Sequence, residues 1–395
     1  MNTPTALAII TASLRRNTRW LLLLATSICL PALAEIKPLV VIHTNDFHGH
    51  ISEENEYAGA ARIAALVTET RRQNSNVLVV DAGDAISGTP VSTMFQGKPI
   101  FSVLNRIGYD AAALGNHEFD HGYAQIQAFR EIASYPLLSA NALDPAGNYI
   151  ADAPDTILDI NGIRVGLIGL ITDTTPDIII PHGNEDIQFL DPETVLRERV
   201  ALLRPKVDLL VVLSHVGHEE ELKLAAKVAG IDIIVGGHSH TRVEPPVRVN
   251  RTWVVQAHCY GSHVGYLELE IDTDKHAMAS FNGYLIPAAD LPAPQADVAA
   301  LVAEWEQQVE EAVDFQISVA ERDYSRNELQ VLFEAIMAEE TGADFGFYNS
   351  GGIRDTLRAG PVTARHIWNI EPFSNNLVTV TADGRLIRRM VTMEG

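Results

Sequence analysis

The chain has little cysteine, little positive charge and no apolar run long enough to cross a bilayer. Two cysteines in 395 residues, Cys29 and Cys259, exclude a disulfide framework and thiolate metal centres such as structural zinc fingers. Any metal must therefore sit on His, Asp, Glu or Asn. The 29 Lys and Arg are outnumbered by 51 Asp and Glu, giving a formal net charge of −22. With no block of like charge, that balance argues against a nucleic-acid scaffold, because binding a phosphate backbone requires a basic face that releases counterions. A small anion would have to be held locally. The longest leading apolar run, residues 20–34, is short of the roughly 20 residues that a membrane-crossing helix needs. It follows Arg15, Arg16 and Arg19 and closes on Pro31-Ala32-Leu33-Ala34, the layout of a secretory signal peptide cleaved after Ala34. The expected location is a bacterial periplasm or the outside of the cell. A stable membrane association follows only if that segment is retained as an anchor.

What is present is apolar content of 47%, ample for large cores, in a length that suggests two or three domains. Apolar, strand-length runs recur at 39–44, 77–81, 111–114, 165–171, 209–214, 231–235, 253–257 and 266–271. Between them lie stretches with helical periodicity at 59–72, 100–107, 192–203 and 219–229. That alternation predicts α/β architecture, with the helices as crossovers between parallel strands. After Pro292 and Pro294, residues 298–313 read as an amphipathic connector helix. A second domain is expected from Gln316, with a helix over 328–341, strands over 345–349, 377–381 and 386–393, and a loop Ser350-Gly351-Gly352.

Polar residues able to bind a metal follow five of the apolar runs directly, at the strand ends where open α/β sheets assemble ligand sites. These are Asn45-Asp46-Phe47-His48-Gly49, Gly83-Asp84, Gly115-Asn116-His117-Glu118, His215, and Gly236-Gly237-His238-Ser239-His240. A single histidine after a strand is most often a capped or surface residue. Five exits that together supply Asp46, Asp84, Asn116 and five His are more than one tetrahedral ion can use, and suit two ions sharing a carboxylate.

The ordered set resembles the calcineurin-like metallophosphoesterases. Three longer motifs, residues 44–49, 115–120 and 349–354, are similar to the 5'-nucleotidase and UDP-sugar hydrolase branch, and the resemblance runs from about residue 38 to the end. It implies a four-layer α-β-β-α metallophosphatase sandwich over 35–290, a linker helix over 291–315 and a partial α+β substrate-binding domain over 316–395. It implies two divalent ions of Zn, Mn, Co or Fe, one on Asp46, His48 and His240, the other on Asn116, His215 and His238, with Asp84 bridging. The activity implied is hydrolysis of nucleoside 5'-monophosphates, and of UDP-sugars or other nucleotide diphosphates, by a hydroxide that the metals generate. His117 would act as a proton donor oriented by Asp120, with Glu118 and Asp81 in supporting positions.

On the substrate side the same resemblance points to Asn349, Gly351 and Arg354, whose planar fork suits a phosphate, and to Phe373 as a stacking face for the base. Arg322 and Arg326 are further phosphate-binding candidates. The partner is thus a small nucleotide and not a nucleic acid polymer. Relatives carry a longer C-terminal domain, so a curtailed nucleotide pocket is expected. The rival activities are a 2',3'-cyclic-nucleotide phosphodiesterase with 3'-nucleotidase action, and a catalytically silent nucleotide-binding or surface protein on the same fold.

Overall fold

The structure is a computed structural model that describes residues 35–54, 56–373 and 375–393. The expected signal peptide, with Cys29, lies outside the described residues. Alternation along the first strand, Ile36–Thr44, decides the layering. Leu39 and Val41 face one side and Val40 and Ile42 the other, and all four are buried, so both faces of the sheet must be covered. Leu39 and Val41 pack with Leu78 and Val80 against Val165, Leu167, Val211 and Leu213 of a second sheet. Val40 and Ile42 pack instead with Ile63, Val67, Ile100 and Leu104 of two helices, Gly59–Gln73 and Lys98–Ile107. The second sheet repeats the device on its outer face, where Ile168, Leu170, Leu210 and Val212 meet Leu196, Val200 and Leu224 of helices Pro192–Leu203 and His218–Lys227. The result is the four-layer α-β-β-α sandwich.

Edge to edge, the first sheet runs Ala277–Pro287, His263–Asp272, Ile36–Thr44, Val77–Asp81, Ala111–Ala113 and Leu137–Leu138. The second runs Val247–Val249, Thr252–Val255, Ile233–Gly236, Leu209–His215, Ile163–Ile171 and Asp155–Ile160. The central strands of each are parallel, so their carboxyl ends, and the loops that follow, gather at one end of the sandwich. Two edge strands, Asp155–Ile160 and Ala277–Pro287, escape the apolar-run reading because one face of each is solvated and their residues alternate.

The helix Ala296–Val313 joins the core of the sandwich directly, burying Val298, Val302, Val309 and Val313 in the same cluster as the two helices over the first sheet. Beyond it, Gln316–Ala320 pairs antiparallel with Gly360–Thr363. The helix Arg326–Thr341 starts at a capping box, in which Ser325 and Glu328 exchange hydrogen bonds. Its Leu329 meets Tyr348, Ile353 and Ile370 in a small core of their own.

Three expectations for this region are corrected. Residues 345–349 and 377–381 have no ladder partner and are not strands, and 386–393 belongs to a helix, Gly384–Met393. The reason is local. Leu386, Ile387 and Met390 fall on one helical face with Arg385, Arg388 and Arg389 on the other, and Asp383 Oδ1 accepts from the backbone N–H of both Arg385 and Leu386. Among the described residues no helix is long and apolar enough to cross a membrane.

Ile370 is fully buried in the small core, whereas Val331 on the nearby helix is 65% exposed. Ile370→Ala should cost about 2–4 kcal/mol in a urea-unfolding measurement and Val331→Ala within ~0.5 kcal/mol. Equal responses would show that Ile370 does not anchor this part of the chain.

Candidate metal centre and active site

The loops after the first two strands run side by side. Asp46 N donates to Gly83 O, His48 N to Asp84 O and Gly49 N to Ala85 O, each at 2.9 Å. Two glycines permit the close approach around Asp84 and His215: a Cβ on Gly115 would fall 2.2 Å from Asp84 Oδ1, and one on Gly237 would fall 2.8 Å from His215 Nδ1. Asp46, His48, Asp84, His238 and His240 all hold positive φ between 49° and 72°. Each such residue costs on the order of 1 kcal/mol relative to ordinary backbone. Five together mark loops shaped for their side chains and not for their own stability.

Those side chains converge. His240 Nε2 lies 3.3 Å from Asp46 Oδ1 and 3.0 Å from His48 Nε2. His215 Nε2 lies 3.0 Å from Asp84 Oδ2, and His48 Nε2 3.7 Å from that same oxygen. His238 Nδ1 meets Asn116 Oδ1 at 2.9 Å. Ligand-capable atoms of Asp46, His48 and His240, and of Asp84, His215 and His238, fall within 4.8 Å of one another in each group. In two of these rings the other nitrogen is held by the backbone: His48 Nδ1 donates to Ser87 O at 3.2 Å and His215 Nδ1 to Ala82 O at 2.8 Å. Backbone acceptors therefore orient these two imidazoles with Nε2 toward the cluster.

Electrostatics favour a cation here. Against the desolvation of burial, the charges of His215 and His117 hold Asp84 well below the usual carboxylate range, and His240 lowers Asp46. Although burial alone would lower it, Asp84 lifts His215 to about 10, and Asp120 and then Asp84 lift His117 to about 9. Buried carboxylates thus recruit positive charge at this spot. His215 Nε2 is buried and faces Asp84 Oδ2 without the geometry of a hydrogen bond, as two groups that share an ion would. Donor chemistry and this juxtaposition both fit divalent cations.

Comparison with known proteins agrees. Residues 39–242 match the family model described as calcineurin-like phosphoesterase, and 302–394 match the 5'-nucleotidase C-terminal domain. A 5'-nucleotidase of Vibrio vulnificus is 30% identical over 88% of this chain and 74% of its own length. Protein UshA of Yersinia enterocolitica is 29% identical over 90% of this chain and 76% of its own. The crystal structure of a 5'-nucleotidase precursor from Thermus thermophilus superposes with a TM-score of 0.78 at 31% identity, covering 86% of this chain and 74% of the other. The chain belongs to the 5'-nucleotidase family of calcineurin-like phosphoesterases. It is a phosphoester hydrolase.

In this phosphoesterase His117 Nδ1 donates to Asp120 Oδ2 at 2.7 Å, and Ser87 Oγ donates to the same oxygen at 2.6 Å. Ser87 therefore ties His48 to Asp120. The sequence does not single it out, and its only signal there is its place in the turn after Asp84. A cavity of about 960 Å³ opens over these groups, lined by Asn116, His117 and His238 from the sandwich and by Asn349, Gly351, Arg354 and Phe373 from the C-terminal part. The Phe373 ring stacks on His117 with centroids 5.6 Å apart, and the Arg354 guanidinium sits 5.5 Å above Phe373 while donating to His48 Nε2 at 3.2 Å. Arg322 and Arg326 are not brought to this lining. Arg322 pairs with Glu328 at 2.8 Å and lies over Tyr324. Burial, then the charges of Arg354, His240 and Arg326, hold the neighbouring His50 at about 3.

Glu118 is buried and accepts from the backbone N–H of Asp84 at 3.1 Å, Ala85 at 2.9 Å and Gly115 at 2.6 Å. One carboxylate thus clamps the loops that carry Asp84 and Asn116. In Glu118→Gln an amide N–H must face one of those donors, at a cost of about 1–3 kcal/mol. Unfolding midpoint and metal affinity, the latter by calorimetric titration with Mn²⁺, should both fall. An unchanged metal affinity would rule out the clamp.

Proposed function

We propose that this phosphoesterase hydrolyses nucleoside 5'-monophosphates, with UDP-sugars and other nucleotide diphosphates as further substrates, at a centre of two divalent cations. The observation that carries the reading is that the cation-seeking cluster, the His117–Asp120 pair and the Arg354–Phe373 pair all face one cavity. Asp46, His48 and His240 would hold one ion and Asn116, His215 and His238 the other, with Asp84 shared. Divalent cations there supply Lewis acidity, lowering the pKa of a water and offsetting charge on the phosphoryl group. His117, fixed by Asp120, presents Nε2 to the phosphoryl oxygens or the leaving group. Arg354 leaves His48 and offers its fork to the phosphate. Phe373 gives the base a face to stack on, with Asn349 and Gly351 beside it. Residues 35–290 would act as the catalytic domain, 291–315 as the linker and 316–395 as the substrate-binding domain, in a protein exported by a signal peptide over 1–34.

The test is phosphate release from AMP, UDP-glucose and cyclic 2',3'-AMP by the chelator-stripped chain, with Mn²⁺, Zn²⁺, Co²⁺ or Mg²⁺ restored. Metal-dependent release from AMP is expected. Release from cyclic 2',3'-AMP but not AMP would overturn the 5'-nucleotidase reading. Asp84→Asn should cut turnover by at least ~10²-fold, the upper range for losing even a supporting group around a metal. Near-normal turnover would eliminate the shared carboxylate. Arg354→Ala should raise KM roughly 10- to 100-fold, as loss of a charged hydrogen bond does, with a smaller change in kcat.

A further inference from the structure

Residues 178–181 line the same cavity from the sandwich side. Ile178 and Ile180 are each 47% exposed, large apolar side chains left open at the rim of the candidate active site. Three backbone groups of the segment are bonded locally: Ile179 N donates to Thr175 O at 3.2 Å, Asn184 Nδ2 to Ile180 O at 2.9 Å and Asn184 N to Pro181 O at 3.0 Å. The side chains that residues 178–181 present to the cavity, next to Asp177, are wholly aliphatic.

The segment is also held in register with the reacting centre at both ends. At its start Thr172 N donates to His215 O at 3.0 Å. At its end Asn184 Nδ2 donates to Phe119 O at 2.9 Å and Tyr123 N to Gly183 O at 3.1 Å, where the two glycine backbones at Gly122 and Gly183 pack against each other. Phe373 stacks on His117 of that same turn. Two apolar surfaces are thus referenced to one turn, His117–Phe119, and both line the cavity that His117 faces.

We propose that Ile178 and Ile180 form a second specificity surface, which with Phe373 selects phosphoesters whose leaving group carries a flat apolar ring system, the nucleosides, over base-free sugar phosphates. This rests on the nucleotidase reading above and names its selectivity. An aliphatic wall reads area and not the hydrogen-bonding edge of a base, so it separates nucleotides from ribose 5-phosphate while treating different bases alike.

The experiment compares kcat/KM for AMP with that for ribose 5-phosphate in the metal-loaded wild type, Ile178→Ser and Ile180→Ser, together with calorimetric binding of AMP to the chelator-treated chains. Both positions are half exposed, so the variants retain the fold. The ratio of the two kcat/KM values should fall about tenfold in each variant, as expected for lost apolar contact with a ligand. An unmoved ratio in a wild type that turns over AMP overturns the wall and leaves the nucleotidase standing. A wild type that binds AMP without hydrolysing it, with variants binding about tenfold more weakly, keeps the wall and overturns the hydrolysis. A wild type that neither binds nor hydrolyses AMP overturns both.

Discussion

Burial of the Asp84 carboxylate is the constraint on which the site depends. Asp84 lies among imidazoles from both sheets, 3.0 Å from His215 and 3.7 Å from His48, and takes the backbone N–H of His117 at 2.8 Å. A carboxylate removed from water is tolerated only when opposite charge and hydrogen bonds replace the solvent. Every neighbouring feature answers that demand. Glu118 gathers the N–H groups of the loops around it, glycine at 115 and 237 lets the backbone close in, and left-handed residues turn the ligand-capable side chains inward.

The sandwich makes such a strained end tolerable. Its strands are apolar on both faces, so they are locked between two helical layers and a shared interior, while the loops at their carboxyl ends are free to carry chemistry. His215 crosses from the second sheet to the Ala82 carbonyl of the first, at 2.8 Å, which fixes the two sheets to each other at the point where the ions would sit. The C-terminal part is built differently. Its own core is four buried side chains, and it meets the sandwich through Arg365, which reaches Glu306 at 2.7 Å and Asp314 at 2.6 Å, and through Trp368, which packs against the apolar cluster over the first sheet.

A chain with a net charge of −22 acts on anions, and the contradiction is resolved locally. The overall field repels phosphate, so attraction has to come from short range, which the proposed function assigns to cations on buried Asp and His, the guanidinium of Arg354 and apolar contact with the uncharged part of the substrate. The groups given those roles line one cavity.

The strands of the two sheets and the polar residues that follow them were legible in the sequence because parallel strands buried on both faces produce apolar runs, whereas the four-layer arrangement was implied only by the family resemblance and the order of the strands by neither. The C-terminal part was less legible. The sequence around Leu386 and Met390 reads as a strand, but an Asp383 cap and a one-sided apolar face make it helical, and residues 345–349 and 377–381 lack the neighbours that would make strands of them. Exposed short-range elements leave weak periodicity, so local capping decides them. What the sequence determined by itself is which residue types arrive at the sheet ends. Only the tertiary structure decided that Ser87 links His48 to Asp120, that Arg322 turns away to Glu328, and that Ile178 and Ile180 face the cavity. Those depend on contacts between segments far apart in the chain, and no local pattern of residues carries them.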